Sequence, residues 1–491
     1  AIPSSIPGEP QTFRKHMGFF STLAAGFSIN NSWLVAAATM VIPLSFGPMV
    51  TATDILIVAV VYTCVGLSLA ELVSAYPTVG GQYHWTSLLA PDSVRRGMSF
   101  VCGFLSWVSW IAMSAASYGA ISMCANALAF NSNPDFVPRD WHAFFFYQAV
   151  NTLALMANMF AHTQLHKLYS IGLFVSLAGF TAITVTCLAL QKQKQSSQFV
   201  WELSFQTSGW PVGMEVLISL AGPVVSFCPL DSAVHLVDEV INPAAAVPRA
   251  LVSVIVISSV TAFTFLISML YCISDIDAVL SNPAGFPLMP IWEQATGSNV
   301  AAIVFTSVVI FLLPIGSIAS AHIASMMTWS LGRDHALLFS DRLSSIHLKL
   351  NTPVWALLLN WCLMFIIGVL YFASSIAAFN NIVGIAAILQ QLTISCPVVL
   401  LLHQRRSESS LPSKRPFKLP GAIGWICNLV TVGFTAVTSV TFLFPATTTT
   451  SPQSMNYAIV VLFGVLLLAI ANWFGYAKKH YDSPLVFQVH D

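Results

Sequence analysis

Long stretches without a charged residue set the hydrophobic pattern of this chain. The tracts without Asp, Glu, Lys or Arg include positions 16–53, 97–134, 250–274, 294–332, 350–404 and 419–477. A helix rises about 1.5 Å per residue and the hydrocarbon core of a bilayer is about 30 Å thick, so about 20 apolar residues cross it. The pattern therefore predicts an all-α polytopic membrane protein.

Polar, proline and glycine positions divide the apolar sequence into spans. The tracts 350–404 and 419–477 are too long for one helix, and we expect turns at 372–376 and 445–454 to make each a hairpin. The twelve predicted spans are 17–43, 53–75, 98–130, 143–163, 168–190, 212–236, 250–273, 298–331, 353–373, 376–402, 422–444 and 455–477.

The basic residues predict how these spans are oriented. If the N-terminus is cytoplasmic, all but three of the 19 Lys and Arg residues fall on the cytoplasmic side, and the exceptions are Arg139, Lys192 and Lys194. Cytoplasmic loops of membrane proteins carry the excess of positive charge. We therefore expect both termini in the cytoplasm. Because the chain begins at Ala1 rather than at a methionine, we also expect native residues before it.

The composition excludes several classes of protein. Hydrophobic residues occupy 56% of the 491 positions and charged residues only 8%, against about 25% in soluble domains. The 19 acidic residues balance the 19 basic ones. These values exclude an ordinary soluble enzyme, a disordered chain and a basic nucleic-acid binder. We expect the lipid bilayer as the surroundings and no nucleic acid as a partner.

The cysteines and histidines give no signature of a cofactor. The nine cysteines lie in or beside apolar runs without a CxxC pair, and the 12 histidines form no HExxH motif. We therefore expect no metal, no cofactor and no enzymatic activity. A membrane-embedded enzyme, a channel and a receptor are the alternatives from other classes.

The first span contains an interruption that a membrane anchor does not need. Gly26 can leave helical geometry at low cost, and Ser28, Asn30, Asn31 and Ser32 form a polar cluster inside the span. Backbone groups freed at membrane depth are tolerated only where protein or a water-filled cavity satisfies them. The alternative interpretation is a simple kink, which glycine and polar residues often cause.

The sixth span contains a second interruption, formed by two prolines. Pro223 frees the carbonyl of Ser219 and Pro229 frees that of Val225, because each proline lacks an N–H and displaces the carbonyl four residues earlier. Breaks in the first and sixth spans together are typical of an inverted five-plus-five repeat with a ligand site between them. Helix N-termini there suit a carboxylate and freed carbonyls suit an ammonium group.

This interpretation divides the chain into seven segments. We expect a cytoplasmic tail over 1–16, a first five-helix repeat over 17–190, an extracellular loop over 191–211, a second five-helix repeat over 212–402, a cytoplasmic loop over 403–421, helices 11 and 12 over 422–477 and a cytoplasmic tail over 478–491.

Several segments carry a family resemblance. They are GFSINNSW at 26–33, LAEL at 69–72, YPTVGGQYHW at 76–85, DSAVHLVDEV at 231–240, VPRA at 247–250, GRDHA at 332–336 and RPF at 415–417. Together they resemble the amino acid–polyamine–organocation superfamily, and in particular its fungal amino acid/choline transporter family, which includes GABA and choline permeases. The resemblance implies twelve transmembrane helices in a leucine-transporter-type fold, alternating access and a location in the plasma membrane.

The resemblance also implies a set of substrate-binding residues. Carried over by position, the backbone around Ala25, Gly26, Phe27 and Ser28 would contact the acidic or polar end of the substrate, with Asn30 nearby.

The second break would supply the remaining contacts. Carbonyls around Ser226 would contact the amine, and Cys228 lies beside them. Phe227 resembles the aromatic gate that closes over the substrate in this fold. Without the resemblance, an ordinary packing aromatic is the alternative for Phe227.

An ionisable residue at membrane depth is a functional candidate by default. Asp231 either caps the restarted helix or binds a cationic substrate directly, and His235, four residues later, could pair with it. On the third span, Trp110 and Ser114 belong to a stripe at helical spacing. That stripe either packs against a neighbouring helix or offers cation–π contacts to a quaternary ammonium such as choline.

Residues of the eighth span are candidates for coupling. His322 could relay a proton, or it is a hydrogen-bonded interior histidine. Ser317 and Ser320 could line a cation site, or simply bond their own backbone. Fungal relatives favour a proton over Na⁺ as the coupling ion. The sequence thus predicts a secondary transporter that imports an amino acid, GABA or a choline-like amine.

Overall fold

A computed structural model describes residues 15–133, 135–202, 208–282, 285–372, 375–449 and 455–484, without the side chains of 163 and 375–380. Most of the predicted N-terminal tail, part of the predicted turn at 445–454 and the end of the predicted C-terminal tail lie outside these residues. In the described part of the chain the structure is almost entirely helical. Its extended pairings there are two isolated bridges, Met17 with Val240 and His347 with Thr352.

The long helices fall at the predicted apolar runs, whereas short helices also form in segments between the predicted spans. The helices are α1 Phe19–Asn30, α2 Ser32–Ala38, α3 Val41–Leu44, α4 Pro48–Ala75, α5 Gln82–Leu89, α6 Arg95–Ser132, α7 Asp140–Phe160, α8 Leu165–Leu190, α9 Ser197–Trp201, α10 Val212–Ser219, α11 Ala221–Val225, α12 Pro243–Cys272, α13 Ile276–Leu280, α14 Leu288–Thr296, α15 Asn299–Arg333, α16 Ser340–Leu343, α17 Val354–Gly368, α18 Ser375–His403, α19 Gly421–Thr441, α20 Ala458–Asn472 and α21 Lys478–His480. Short 3₁₀ turns lie at His162–Gln164, Cys228–Ala233, Val237–Glu239 and Val369–Phe372.

Eleven helical segments of the described chain are long and apolar enough to cross a membrane. The predicted fourth span corresponds to α7, which has 21 residues but is not one of the eleven. A helix of that length extends about 31 Å, enough to cross the hydrocarbon core. The count of twelve spans therefore stays a prediction that depends on α7.

Polar side chains explain why α7 is less apolar than the other spans. Gln148, Asn151 and Asn158 are buried on one side of the helix. Their amide groups donate to backbone carbonyls of Phe365 and Trp361 on α17 and of Ile318 on α15, at 2.9–3.2 Å. Because these amides are satisfied inside the bundle, α7 can carry them at membrane depth.

The outer helix faces are apolar, as a bilayer requires. Large exposed hydrophobic side chains lie along α7, α8, α20 and the π-helical turn Trp473–Ala477 that follows α20, and they include Phe145, Phe160, Phe174, Phe463 and Phe474. Helices α19 and α20 are mostly exposed, whereas α6 is largely buried and lies against α15 and α18. Around the centre, α1 contacts α8, α12, α15 and the 3₁₀ turn Cys228–Ala233. The two interrupted spans therefore lie side by side in the middle of the bundle.

One ion-pair cluster ties an end of α4 to the segment between α18 and α19. The carboxylate of Glu71 accepts from Arg406 at 2.6 Å, from Arg415 at 2.8 Å and from the backbone N–H of Leu419 at 3.2 Å. Glu71 is fully buried, and both arginine side chains are nearly so. A buried carboxylate that holds two guanidinium groups fixes this loop against the bundle.

Candidate substrate site

The first interrupted span breaks at Asn31. Helix α1 ends at Asn30, Asn31 adopts a left-handed conformation (φ 30°, ψ 51°), and α2 begins at Ser32. Asparagine is among the few non-glycine residues that tolerate this region of backbone space. The N–H of Asn31 closes α1 by donating to the carbonyl of Phe27 at 2.6 Å. A break in this span is confirmed.

The prediction that the backbone unwinds around Gly26 is wrong. Ala25, Gly26, Phe27 and Ser28 lie inside α1, where their backbone is helical. Gly26 instead permits a close helix contact, because a Cβ at this position would lie 3.2 Å from a methyl group of Val254 on α12. The polar residues after the glycine, and not the glycine, mark the break.

The second interrupted span loses α-helical geometry after Val225. Helices α10 and α11 are separated at Leu220, and the chain passes through Ser226 and Phe227 into the 3₁₀ turn Cys228–Ala233, which has Pro229 in its first turn. The predicted break at the second proline is confirmed. Pro223 lies within α11, so the interruption before it is a single residue.

A hydrogen bond joins the two breaks directly. The hydroxyl of Ser32 donates to the carbonyl of Ser226 at 2.6 Å. The side-chain amide of Asn30 donates to Ser32 and to Ser258 on α12, each at 3.1 Å. One predicted ligand group, the carbonyl of Ser226, is therefore occupied by a side chain of the other break.

Helix α8 holds the first break from the other side. Ser176 donates to the carbonyl oxygen of the Asn31 side chain at 2.9 Å and accepts from the indole of Trp33 at 2.9 Å. Ser28 donates to the backbone carbonyl of Tyr169 at 3.1 Å. These bonds satisfy polar groups that would otherwise be stranded in an apolar environment.

A cavity of about 690 Å³, including its open end, lies beside both breaks. None of the residues that line it is aromatic or ionisable. The lining residues are Ser28, Ile29, Asn31, Val35, Ala38, Thr39, Met113, Ala116, Ser117, Ala120, Val225, Pro229, Leu312, Leu313, Gly316, Ser317, Ser320 and Val383.

The five hydroxyl groups in this lining make the same kind of hydrogen bond. Each donates its hydrogen to a backbone carbonyl at 2.7–3.1 Å, and the residues are Ser28, Thr39, Ser117, Ser317 and Ser320. A hydroxyl has one hydrogen and two lone pairs. Its oxygen therefore remains an acceptor for a group in the cavity.

Three of the predicted site residues line this cavity: Ser28, Ser317 and Ser320. The others lie elsewhere, and the predicted aromatic gate is one of them. Phe227 is fully buried with its ring 5.8 Å from that of Tyr62 on α4, and the sulfur of Cys228 lies 3.1 Å from the Tyr62 hydroxyl. In this conformation Phe227 and Cys228 face α4, so a gating role for Phe227 stays a prediction.

Trp110 and Ser114 also lie away from the cavity. The indole of Trp110 meets the ring of His235 edge-on at 5.8 Å, and Ser114 bonds the carbonyl of Trp110 within its own helix. From this helix Met113 and Ser117 contribute to the lining instead. The structure therefore gives Trp110 packing contacts rather than a face toward a cation.

Asp231 is bound by side chains rather than by backbone N–H groups. One carboxylate oxygen accepts from Gln82 and pairs with His235 at 3.2 Å, and the other ring nitrogen of His235 lies 2.8 Å from the carbonyl of Val79. The predicted pairing of Asp231 with His235 is confirmed. These contacts tie the 76–85 segment to the broken helix, a role that sequence reasoning missed.

His322 belongs to a group of ionisable residues that was also mostly missed. Its ring lies 2.8 Å from Glu239, and His162 and His16 lie close by. Burial raises the pKa of Glu239, but the hydrogen bond and charge of His322, with His162 and His16, outweigh it and lower the pKa to about 2. Two histidines at positions 162 and 166, four residues apart, were the signal in the sequence.

Relatives of this chain are known. A family model described as amino acid permease matches residues 17–466. A choline transporter of Saccharomyces cerevisiae is 33% identical over 96% of this chain and 83% of its own length. A swainsonine transporter of Arthroderma benhamiae is 30% identical over 94% of this chain and 91% of its own.

Solved structures share the fold. The manganese transporter of Eremococcus coleocola superposes with a TM-score of 0.57 over 96% of this chain and 98% of its own, at 13% sequence identity. The leucine-transporter-type fold predicted from the sequence is confirmed, as is the family resemblance. On the family model and these relatives, the chain belongs to the amino acid permease family of secondary transporters.

Proposed function

We propose that this permease carries a small organic ammonium compound, choline or a related amine, by alternating access through the cavity between its two broken helices. Five cavity hydroxyls whose hydrogens are bound to backbone carbonyls are the observation that carries this proposal. Their oxygens offer partial negative charge to a cation. A bare carboxylate would find no donor among them.

The wall of the cavity supports a weakly hydrated cation in particular. Most of the lining is aliphatic, and no acidic side chain is part of it. A quaternary ammonium presents methyl groups that suit an aliphatic wall, and its charge is stabilised by carbonyl and hydroxyl oxygens around it. The hydroxyl of choline could donate to one of these oxygens. The choline transporter among the relatives favours the same class of substrate.

Import and orientation are part of the proposal. We place both termini in the cytoplasm and the protein in the plasma membrane, because the basic residues fall on one side of the spans. Alternating access would then bring the substrate from outside to inside, with a proton as the coupling ion. As a carrier the protein needs no catalytic group of its own.

The test is uptake of radiolabelled compounds into proteoliposomes under an imposed proton or sodium gradient. Choline and glycine betaine form a matched pair, because both carry a trimethylammonium group and differ in a hydroxymethyl against a carboxylate. We expect choline to accumulate at least about tenfold more than betaine, since an unpaired carboxylate in this cavity costs more than 1.4 kcal/mol. GABA and a neutral amino acid complete the panel.

Three outcomes would contradict the proposal. Accumulation of betaine, GABA or the amino acid without choline would assign the site to a carboxylate-bearing substrate. Current without saturable counterflow would indicate a channel. Absence of transport for every compound would refute the proposed substrate class.

A variant pair tests whether the cavity is the site. We expect Ser320→Ala to raise the KM for choline about fivefold, the effect of losing one hydrogen-bond acceptor of about 1 kcal/mol. Ser307→Ala on the same helix is the control, because its hydroxyl also bonds the backbone but faces outward. Equal KM values in the two variants would place the substrate elsewhere.

A further inference from the structure

A second, smaller cavity lies below the first, toward the end of the bundle where α1 begins. It is lined mostly by ionisable side chains. Its lining residues are His16, Met17, His162, Leu165, His166, Tyr169, Leu236, Glu239 and His322. Four histidines around one buried carboxylate are an unusual composition for the interior of a membrane protein.

The carboxylate of Glu239 is at the centre of this group. One oxygen lies 2.8 Å from Nε2 of His322, and the other lies 3.7 Å from Nε2 of His16. The ring centroids of His322 and His162 are 4.9 Å apart, and those of His16 and His166 are 5.3 Å apart. The four rings therefore form two neighbouring pairs, and one ring of each pair lies beside the carboxylate of Glu239.

The group lies where the two broken spans are fastened together. Backbone N–H groups of His16 and Met17 donate to the carbonyl of Glu239 at 2.9 and 3.0 Å, and Ile241 donates to the carbonyl of Met17 at 2.8 Å. His16 precedes α1, and Glu239 ends the 3₁₀ turn that follows the sixth span. Opening a path at this end of the bundle would have to separate these segments.

The two cavities are neighbours on two helices. Ser320 lines the upper cavity and His322, two residues later on α15, lines the lower one, a rise of about 3 Å. On α8, Tyr169 lines the lower cavity and its carbonyl accepts from Ser28, which lines the upper one. The two sites are thus about half a helical turn apart along α15.

The charges that face Glu239 come from every element packed against it. His322 belongs to α15, His162 to the 3₁₀ turn after α7, and His16 to the segment before α1; Tyr169 lies on α8. Asp238 precedes Glu239, and Lys15 is among the groups that act on Asp238. Burial and the charge of His322 lower the pKa of His162 to about 4, so this ring is neutral at physiological pH.

We propose that Glu239 and His322 form the site of the coupling proton and that the site releases this proton when the segments around it separate. The proposal rests on the proposed function, since it names the coupling ion of the same transporter. In the closed arrangement an imidazolium of His322 is paired with the carboxylate of Glu239. On opening, the imidazolium loses its counter-charge and gives the proton to water, which leaves a neutral ring and a hydrated carboxylate.

The neutral ring of His162 lies beside this pair. Its Nδ1 is buried without a hydrogen-bond partner among the described residues. A proton bound in the closed state also strengthens the closure, because it adds the positive partner of Glu239. A carrier that holds the proton but no substrate therefore stays closed at this end, which prevents a proton leak.

His322→Gln tests the site because glutamine retains an N–H donor but does not titrate. In proteoliposomes we expect choline accumulation driven by a pH gradient to fall at least about tenfold, while choline counterflow at equal pH is preserved. His480→Gln is the matched control, an exposed histidine near the chain's end. Gradient-driven accumulation by His322→Gln at the level of the control would overturn the proposal.

A second measurement needs no substrate. Hydrogen–deuterium exchange at residues 236–241, corrected for intrinsic rates, should slow in wild type as the pH falls from 8 to 5.5, since protons stabilise the closed arrangement. In His322→Gln this dependence should disappear. Identical profiles in the two proteins would refute the proton site, whatever compound is carried. Wild type that shows the pH dependence but transports no panel compound would refute the proposed substrate and leave the proton site supported.

Discussion

Gly316 is the position where a single methyl group should interfere most directly with the site. This glycine lies on α15 and lines the cavity. A Cβ built there would lie 2.6 Å from the backbone carbonyl oxygen of Ser28, 3.6 Å from its carbonyl carbon and 3.8 Å from the Cα of Ile29. Since the first contact is with backbone, no side-chain rotation can relieve it. Gly316→Ala must move α1 and α15 apart.

The size of the effect follows from that overlap. The contact is roughly 1 Å shorter than ordinary van der Waals separation, and inserting one methyl into a tight contact costs about 1–3 kcal/mol. The displaced segment carries the bond from Ser28 to Tyr169 and the bond from Ser176 to Asn31. If transport alternates between states with different spacing of these helices, the cost falls mainly on the arrangement described here. A difference of 1.4 kcal/mol changes that population about tenfold.

The assay compares Gly316→Ala with Gly433→Ala, a glycine of α19 with open space around its Cβ position. We expect choline transport to fall about tenfold in Gly316→Ala at equal expression, with a lower melting temperature in detergent. The control should be as active and at least as stable as wild type, because alanine favours helix over glycine. Wild-type transport and stability in Gly316→Ala would refute the close packing of α1 on α15.

Other substitutions separate stability from transport. Glu71→Gln should destabilise the protein by about 3–5 kcal/mol in thermal unfolding, because it leaves Arg406 and Arg415 buried with a neutral partner; Glu408→Gln, exposed in the same loop, is the control. Phe227→Ala should impair uptake but not membrane insertion, and normal uptake would contradict a gating role. Burial raises the pKa of Asp334, but the hydrogen bond and charge of His84, with Arg333 and Tyr83, lower it overall. The stability that Asp334 adds is therefore present above about pH 4 and lost below it. In Asp334→Asn the melting temperature should therefore fall less than in wild type when the pH is lowered below about 4.

The positions of the long helices were predictable because a membrane span is recognised in the sequence by its length and its hydropathy. The predicted span 376–402 and the observed α18, Ser375–His403, differ by one residue at each end. The exception is α7, which is less apolar than the other spans because its side-chain amides face α15 and α17. Hydropathy measures a helix against lipid, whereas these amides are satisfied by neighbouring helices that the sequence alone does not place.

The site was predictable only in part, for a similar reason. Polar residues and prolines correctly marked both broken spans, since interrupted backbone at membrane depth needs satisfaction. The identity of the residue that leaves the helix was mistaken, because the left-handed conformation falls on Asn31 and Gly26 serves close packing on α12. Which side chains face the cavity depends on helix rotation, and so Met113 and Ser117 line it while Trp110 and Ser114 do not.

The hydrogen bonds between the breaks explain why the polar residues there do not all bind substrate. The hydroxyl of Ser32 donates to the carbonyl of Ser226, and the side-chain amide of Asn30 donates to the hydroxyls of Ser32 and Ser258. A contact that joins two segments which move against each other has to be made in one state and lost in another. Ser226 would then become free to accept from the substrate only as the helices separate. In the proposed mechanism the acceptors that meet the substrate first would be the hydroxyls of the cavity wall. About half a helical turn away along α15, the Glu239–His322 pair would respond to the same separation by giving up its proton.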